Sequence, residues 1–465
     1  MTRRWTLALL LLVFGWQAPP SAKADGPPVL PAVQRLAERT PVVLLPGITG
    51  TKLRDRKTGE VMWGESRHLL RPRDGGYALA RPIHEDLDDP SELEGFAPIE
   101  SISLAGFERD IYGPILELLR LNGYRLGDLA RPEPTDDAFV FPYDWHQDNV
   151  VSAGRLAEAL EGLRRVRGDS TLSVVLICQS NGAHICRYLA KYGGAPLEDA
   201  EAGTAALPST LAVHKLILLG SSNGGALRNL REIDRGRTYV PVVGRKMRPE
   251  TLFTFPSLYQ DMPVLEESLF VDRSGRIVAA DLGNADDWRR LGFSAFDDDA
   301  RRRMSEHPEI FGNELQRLAF LRRSLERARR IHRVLLRDAP QFDGPSRQTP
   351  RYYSIQSHSK DTSVRAVLVE KKRGWDLLFS DDGELDDLPP TIARRLVEAG
   401  DSHASIASQN TLSPQEKATV VRPTAWVDDG HRELLANPAT LEALIDFLAD
   451  DESLPTPPAP VTGQR

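Results

Sequence analysis

The chain has 465 residues, of which 41% are apolar and 27% charged, with a formal net charge of −7. That balance is ordinary for a globular protein long enough to bury a large core, which excludes a disordered or fibrous chain. No long basic run interleaved with aromatics occurs, so nucleic-acid binding has no support in the sequence.

The first element reads as an export signal. Arg3-Arg4 form a positive start, Leu7 to Trp16 an apolar core, and Ala22-Lys23-Ala24 a small-x-small cleavage site. The apolar core is too short to span a bilayer. Residues 1–24 are therefore expected to be removed, taking three basic side chains and no acids and leaving a net charge of −10. The mature chain is expected outside the cytoplasm, periplasmic or secreted. Residues 25–450 read as one α/β domain, and the proline-rich end, 451–465, as a disordered tail.

Pro41 to Leu45 is the first expected strand, ending at Pro46-Gly47-Ile48-Thr49-Gly50-Thr51. Asp110 to Asn122 has helical spacing, with Ile111, Ile115, Leu118 and Leu119 on one face. A short strand at Ala138 to Phe141 closes on Pro142-Tyr143-Asp144-Trp145, and a helix through Leu156, Leu160 and Leu163 follows. Val174 to Ile177 is an apolar β-branched run that breaks at Cys178-Gln179-Ser180-Asn181-Gly182 into a helical pattern. Val213 to Leu219, Arg351 to Gln356 and Thr424 to Val427 are further strands. Short apolar strands alternating with amphipathic helices predict a mostly parallel sheet flanked by helices. Residues 226–343 break the rhythm and read as an inserted cap, basic over 227–260, with Phe253, Phe255 and Tyr259 suited to an acyl chain. Cys178 and Cys186 are expected to be buried thiols, because a strand–helix unit carries such positions apart.

Strand, tight turn with a central Ser, then helix is the layout of a nucleophile elbow, with Cys178 in place of the first Gly of G-x-S-x-G. Ser180 is the candidate nucleophile. It needs a base and an orienting acid, which follow in the order Ser, acid, His. Among ten histidines, His431 lies between the last strand and the last helix, which Asn437-Pro438 opens, and is the candidate base. His403 is its rival, without a clear strand before it, and His184 reads as a packing residue. For the acid, Asp382 is favoured because Gly383 lets the backbone turn, with Asp381 and Asp386 as alternatives. The amides of Asn181 and Thr49 are the expected oxyanion donors. Phosphate-loop and zinc-ligand spacings are absent, so neither a metal nor another cofactor is expected.

Val42 to Leu53 followed by Val61-Met62-Trp63 resembles the opening of the lecithin:cholesterol acyltransferase family, which includes phospholipid:diacylglycerol acyltransferases and lysosomal phospholipase A2. Pro142-Tyr143-Asp144-Trp145 resembles that family's P-Y-D-W-R, with His146 for Arg. Cys178 to Gly182 stands at its G-H-S-x-G, with Gln179 for His, and Phe255 to Tyr259 is similar to the element after its lid. The stretch from His431 to Leu448 resembles its terminal H-x-x-(M/L)-x-x-N-x-x-x-(L/V). The likeness implies an α/β-hydrolase fold that passes a fatty acyl group through a Ser ester to an alcohol or water. It implies Ser180, His431 and Thr49 in the roles given, and Asp382 as acid through the family's G-D-G-x-V, matched by Asp381 to Leu385. The family's N-terminal lid disulfide has no counterpart, since neither Cys lies within 53–80. The expected partners are a lipid ester and a membrane or lipid surface, with no protein partner implied. The competing readings are a catalytically silent lipid-binding protein on the same fold and a small-ester hydrolase.

Overall fold

A seven-stranded, wholly parallel sheet forms the centre of the computed structural model, which describes residues 40–89, 91–104, 107–240, 244–340, 349–372, 374–421 and 423–450. The export signal at 1–24 and the tail at 451–465 lie outside the described residues. In chain order the strands are β1 (Val42–Leu45), β2 (Leu126–Asp128), β3 (Ala138–Val140), β4 (Leu172–Gln179), β5 (Leu211–Leu219), β6 (Arg351–Gln356) and β7 (Ala425–Trp426). They lie in the order β7-β6-β5-β4-β1-β3-β2, every neighbouring pair parallel.

Parallel neighbours need crossovers, and the crossover helices cover both faces of the sheet. The helices used below are α1 (Gly113–Leu121), α2 (Asn149–Arg167), α3 (Gly182–Tyr192), α4 (Arg228–Arg235), α5 (Glu314–Leu336) and α6 (Pro438–Ala449). Strand alternation sorts them. Val42 and Leu44 pack with Ile115 and Leu119 of α1 and Leu444 of α6, whereas Val43 and Leu45 face the cluster that holds Leu156 of α2 and Leu189 of α3. All four residues of β1 are fully buried, which is why its sequence is an unbroken apolar run.

Between β5 and β6 the chain leaves the sheet, where the cap was expected. This excursion is continuous with the main core rather than a layer laid over it. Leu230, Phe253, Phe255, Tyr259, Trp288 and Phe320 share one buried cluster with α2 and α3. Phe270–Val271 also pairs with Ala366–Val367 beyond β6, so the two excursions fold together. Phe253, Phe255 and Tyr259 do not line an acyl chamber: each is fully buried, against Phe296 and Phe320, against Trp145, and against Trp288. Many basic side chains of 227–260 are internal ties. Arg237 binds the buried Glu232 at 2.9 Å, Arg248 reaches the Tyr77 hydroxyl at 3.0 Å, and Arg231 and Arg235 bind Asp382.

Cys178 and Cys186 form a disulfide with their Cα atoms 6.5 Å apart, which corrects the expectation of two thiols. After the tight turn, α3 packs back along β4, so a residue early in the helix returns beside the end of the strand and within bridging range. Among the described residues no helix is long and apolar enough to cross a membrane.

Candidate active site

The residue that follows β4 has a left-handed backbone. Ser180 has φ 54°, a region that side chains bearing a Cβ seldom adopt and that costs on the order of 1–3 kcal/mol. Two contacts hold it there. The Ser180 amide donates to the Leu219 carbonyl at 3.2 Å. Gly182 then lets α3 pass close over β1, because a Cβ at that position would lie 2.8 Å from the Leu45 carbonyl oxygen. The hydroxyl of Ser180 is thereby set at the N-terminus of α3, where the helix dipole favours developing negative charge.

His431, beyond β7, meets it. Nε2 lies 3.0 Å from the Ser180 Oγ, and Nδ1 lies 2.7 Å from Oδ2 of Asp401. The Asp401 side chain is fully buried, and its other oxygen accepts the amides of His403 at 2.9 Å and Ala404 at 2.7 Å. Burial would raise the Asp401 pKa, but the attraction of His431 outweighs it and holds the carboxyl below the usual range. The same contest runs the other way on His431: burial lowers its pKa, the Asp401 charge and hydrogen bond raise it, and the net direction is up. An ionised Asp401 accepts a hydrogen bond from Nδ1–H, which leaves the Nε2 lone pair facing the Ser180 hydroxyl.

A loop from the end of β1 closes the site. The Gly47 amide donates to the Gln179 Oε1 at 2.8 Å, and the Tyr112 hydroxyl donates to the same oxygen at 2.7 Å. A Cβ on Gly47 would stand 2.8 Å from the Ser180 Cβ, so only glycine allows this approach. Two residues on, Thr49 has φ 67°, an outlier for a β-branched residue. Neither the Thr49 nor the Asn181 amide has an acceptor among the described residues. Asn181 itself is fixed by reciprocal side-chain bonds to Asn149, both 2.9 Å.

The structure brings Ser180, Asn181 and His431 together and sets the loop of Thr49 against them. It does not bring Asp382. That carboxylate accepts Arg231 at 3.1 Å and Arg235 at 2.8 Å on Oδ1, and the Phe379 amide at 2.7 Å on Oδ2, so it ties α4 to its own loop. The alternative Asp381 is spent on Arg231 at 2.5 Å. The acid at His431 is Asp401, which sequence reasoning missed. Its strand, Val397–Gly400, is half exposed and pairs with Lys360–Ser363, outside the central sheet, so no buried run marks it. The available signal was Gly400-Asp401-Ser402: Ser402 has φ 75° at the place where G-D-G carries its second glycine.

The two other histidines considered are also close. The His403 ring packs against that of His431, tilted by 31° with centroids 4.4 Å apart, and follows the strand that sequence reasoning did not find. His403 also lines a cleft of about 150 Å³ with Gly225, Leu227, Leu269 and Thr411. Beyond the two rings lies the buried Asp261, its carboxylate 3.2 Å from Nε2 of His184 and 3.6 Å from Nε2 of His403. Among the described residues no group of three or more His, Cys, Asp or Glu side chains could hold a metal ion.

No family model matches the chain, and no curated protein matches it. A solved structure, the crystal structure of the Tle4–Tli4 complex, contains a chain that is similar over 89% of this protein and 100% of its own length, with a TM-score of 0.51 and 13% identity. At that identity the likeness concerns the fold, which is that of an α/β-hydrolase.

Proposed function

We propose that the protein is a serine acyl-transfer enzyme acting on a lipid ester, a lipase or phospholipase or an O-acyltransferase of the lecithin:cholesterol acyltransferase type. The observation that carries this reading is the unbroken chain Ser180 Oγ, His431 Nε2, His431 Nδ1 and Asp401 Oδ2, spaced at 3.0 and 2.7 Å and headed by a residue in elbow conformation. Chance proximity of a serine and a histidine supplies neither the buried acid nor the left-handed backbone.

In the reaction, Ser180 Oγ attacks the ester carbonyl carbon as His431 Nε2 takes its proton. The carbonyl π electrons move to oxygen, and that oxyanion is received by the free amides of Asn181 and Thr49. Collapse breaks the bond to the alcohol, which leaves with the proton from His431. Water or a second alcohol repeats the sequence on acyl-Ser180, giving up its proton to His431. Asp401 stays ionised throughout and supports the imidazolium. Two features support an activity outside the cytoplasm: the first 24 residues read as an export signal, and the Cys178–Cys186 disulfide suits an oxidising compartment.

Fluorophosphonate labelling of the mature protein is the direct test. The wild type takes one label, mapped to Ser180, and Ser180→Ala takes none and loses on the order of 10⁶ of the esterase rate. A folded wild type that resists the reagent contradicts the reading.

A further inference from the structure

Resting on the acyl-transfer reading above, we infer that Asp261 and His403 are positioning residues for His431: a second carboxylate–imidazole couple, stacked on the base rather than bonded to it, that favours its charged form as the ester bond breaks.

Asp261 is 1% exposed and belongs to no element of the Ser180–His431–Asp401 chain. It is held by two neutral side chains and by Nε2 of His184, 3.2 Å from Oδ1. The Ser222 hydroxyl bonds to Oδ1, and Asn229 Nδ2 reaches Oδ2 at 3.0 Å and the Asp261 carbonyl at 2.6 Å. Burial would raise its pKa, but the imidazoles of His184 and His403 outweigh it and hold the carboxyl well below the usual range. Between it and the base lies one ring. His403 Nε2 faces Asp261 Oδ2 at 3.6 Å, and the His403 ring packs against the His431 ring at a 31° tilt, centroids 4.4 Å apart.

Two imidazoles in contact are not both cations at small cost. Burial and the positive charge of His431 depress the pKa of His403, whereas His431 is raised, so the intervening ring is the neutral member. The negative charge of Asp261 then reaches His431 uncancelled by that ring. The other charged groups in this surrounding are Asp401, bonded to Nδ1, and Arg228 of α4, which opposes charging of His431. Glu232, also on α4, faces His403, and His184 and His332 stand behind Asp261. Asp401 thus acts at the edge of the base, and Asp261 through its face.

The test compares wild type, Asp261→Asn and His403→Phe by the pH dependence of fluorophosphonate labelling and of kcat/KM on p-nitrophenyl butyrate. Removing the charge of Asp261 lowers the pKa of His431, so the acidic limb moves to lower pH by about half a unit, and the plateau of kcat falls about tenfold with KM unchanged. His403→Phe keeps an aromatic ring against the base but loses the nitrogen facing Asp261. It should show the same two changes at about a third of the size. A purely structural role lowers Tm without moving the limb. If Asp261→Asn does not fold, His403→Phe decides alone, and an unmoved limb and plateau overturn the inference. A wild type that takes no label overturns the acyl-transfer reading and this inference together. A labelled wild type with unchanged variants overturns this inference only.

Discussion

Asp401 holds His431 twice: its Oδ2 lies 2.7 Å from Nδ1, and its backbone carbonyl accepts the His431 amide at 2.8 Å. Side chain and main chain of the base are therefore registered on the same residue, so its ring is aimed before any substrate arrives. Preorganisation of this kind spares the reaction the cost of orienting the base.

Asp401→Asn should lower kcat/KM by about 10⁴, because an amide at that place leaves the wrong tautomer at Nε2. Asp382→Asn, by contrast, should leave kcat/KM on a soluble ester within about threefold, because it loosens only the partly exposed Arg231 and Arg235 ties. Steady-state rates of the two variants, with folding checked by circular dichroism, separate these carboxylates. The reverse ranking would return the acid to Asp382.

The pH profile follows from the direction of the His431 shift. The base works when neutral, and burial is outweighed by the attraction of Asp401, which raises its pKa above the ordinary 6.5. Activity should therefore rise through a midpoint above pH 6.5 in kcat/KM, and Asp401→Asn should bring its residual activity to a lower midpoint. A wild-type limb at or below 6.5 contradicts the Asp401–His431 coupling.

Stability in acid should depend on Glu416. This fully buried carboxylate accepts Arg187 through two bonds of 2.7 and 2.8 Å, the Tyr352 hydroxyl at 2.9 Å and the Ser413 amide at 2.7 Å. Burial raises its pKa, but the Arg187 charge prevails and brings it down to about 2. A folded value below the ordinary 4.5 means stabilisation that is present above pH 4.5 and lost as pH falls toward 2. Glu416→Gln leaves Arg187 buried without its partner and should cost about 3–5 kcal/mol at neutral pH. Urea melts from pH 7 to 3 measure both. A variant as stable as wild type would show that Arg187 finds another partner.

The disulfide gives a chemical count. Denatured but unreduced protein should contain no titratable thiol, and reduction should expose both Cys178 and Cys186. Replacing both by Ala should lower stability by about 2–3 kcal/mol, the effect expected for so short a loop. Thiol titration with a chromogenic disulfide reagent reads the first result directly.

The sequence by itself determined what short-range patterns carry. Pro41 to Leu45 and Val174 to Ile177 read as buried strands because parallel strands covered on both faces are apolar along their length. Ser180 was legible because an elbow needs a strand end, a turn and a helix start in consecutive residues. His431 was legible because Asn437-Pro438 marks the start of α6 behind it. Asp401 was not. It stands on a half-exposed strand outside the main sheet, and its turn uses Ser402 at φ 75° where a glycine would have signalled it. Asp382 carried the local pattern, yet its role depends on Arg231 and Arg235, which lie some 150 residues earlier in the chain. The disulfide, the burial of Phe253, Phe255 and Tyr259, and the stack of His403 on His431 were decided in the same way. Each rests on which distant segments the packed core places side by side, and no local periodicity records that choice.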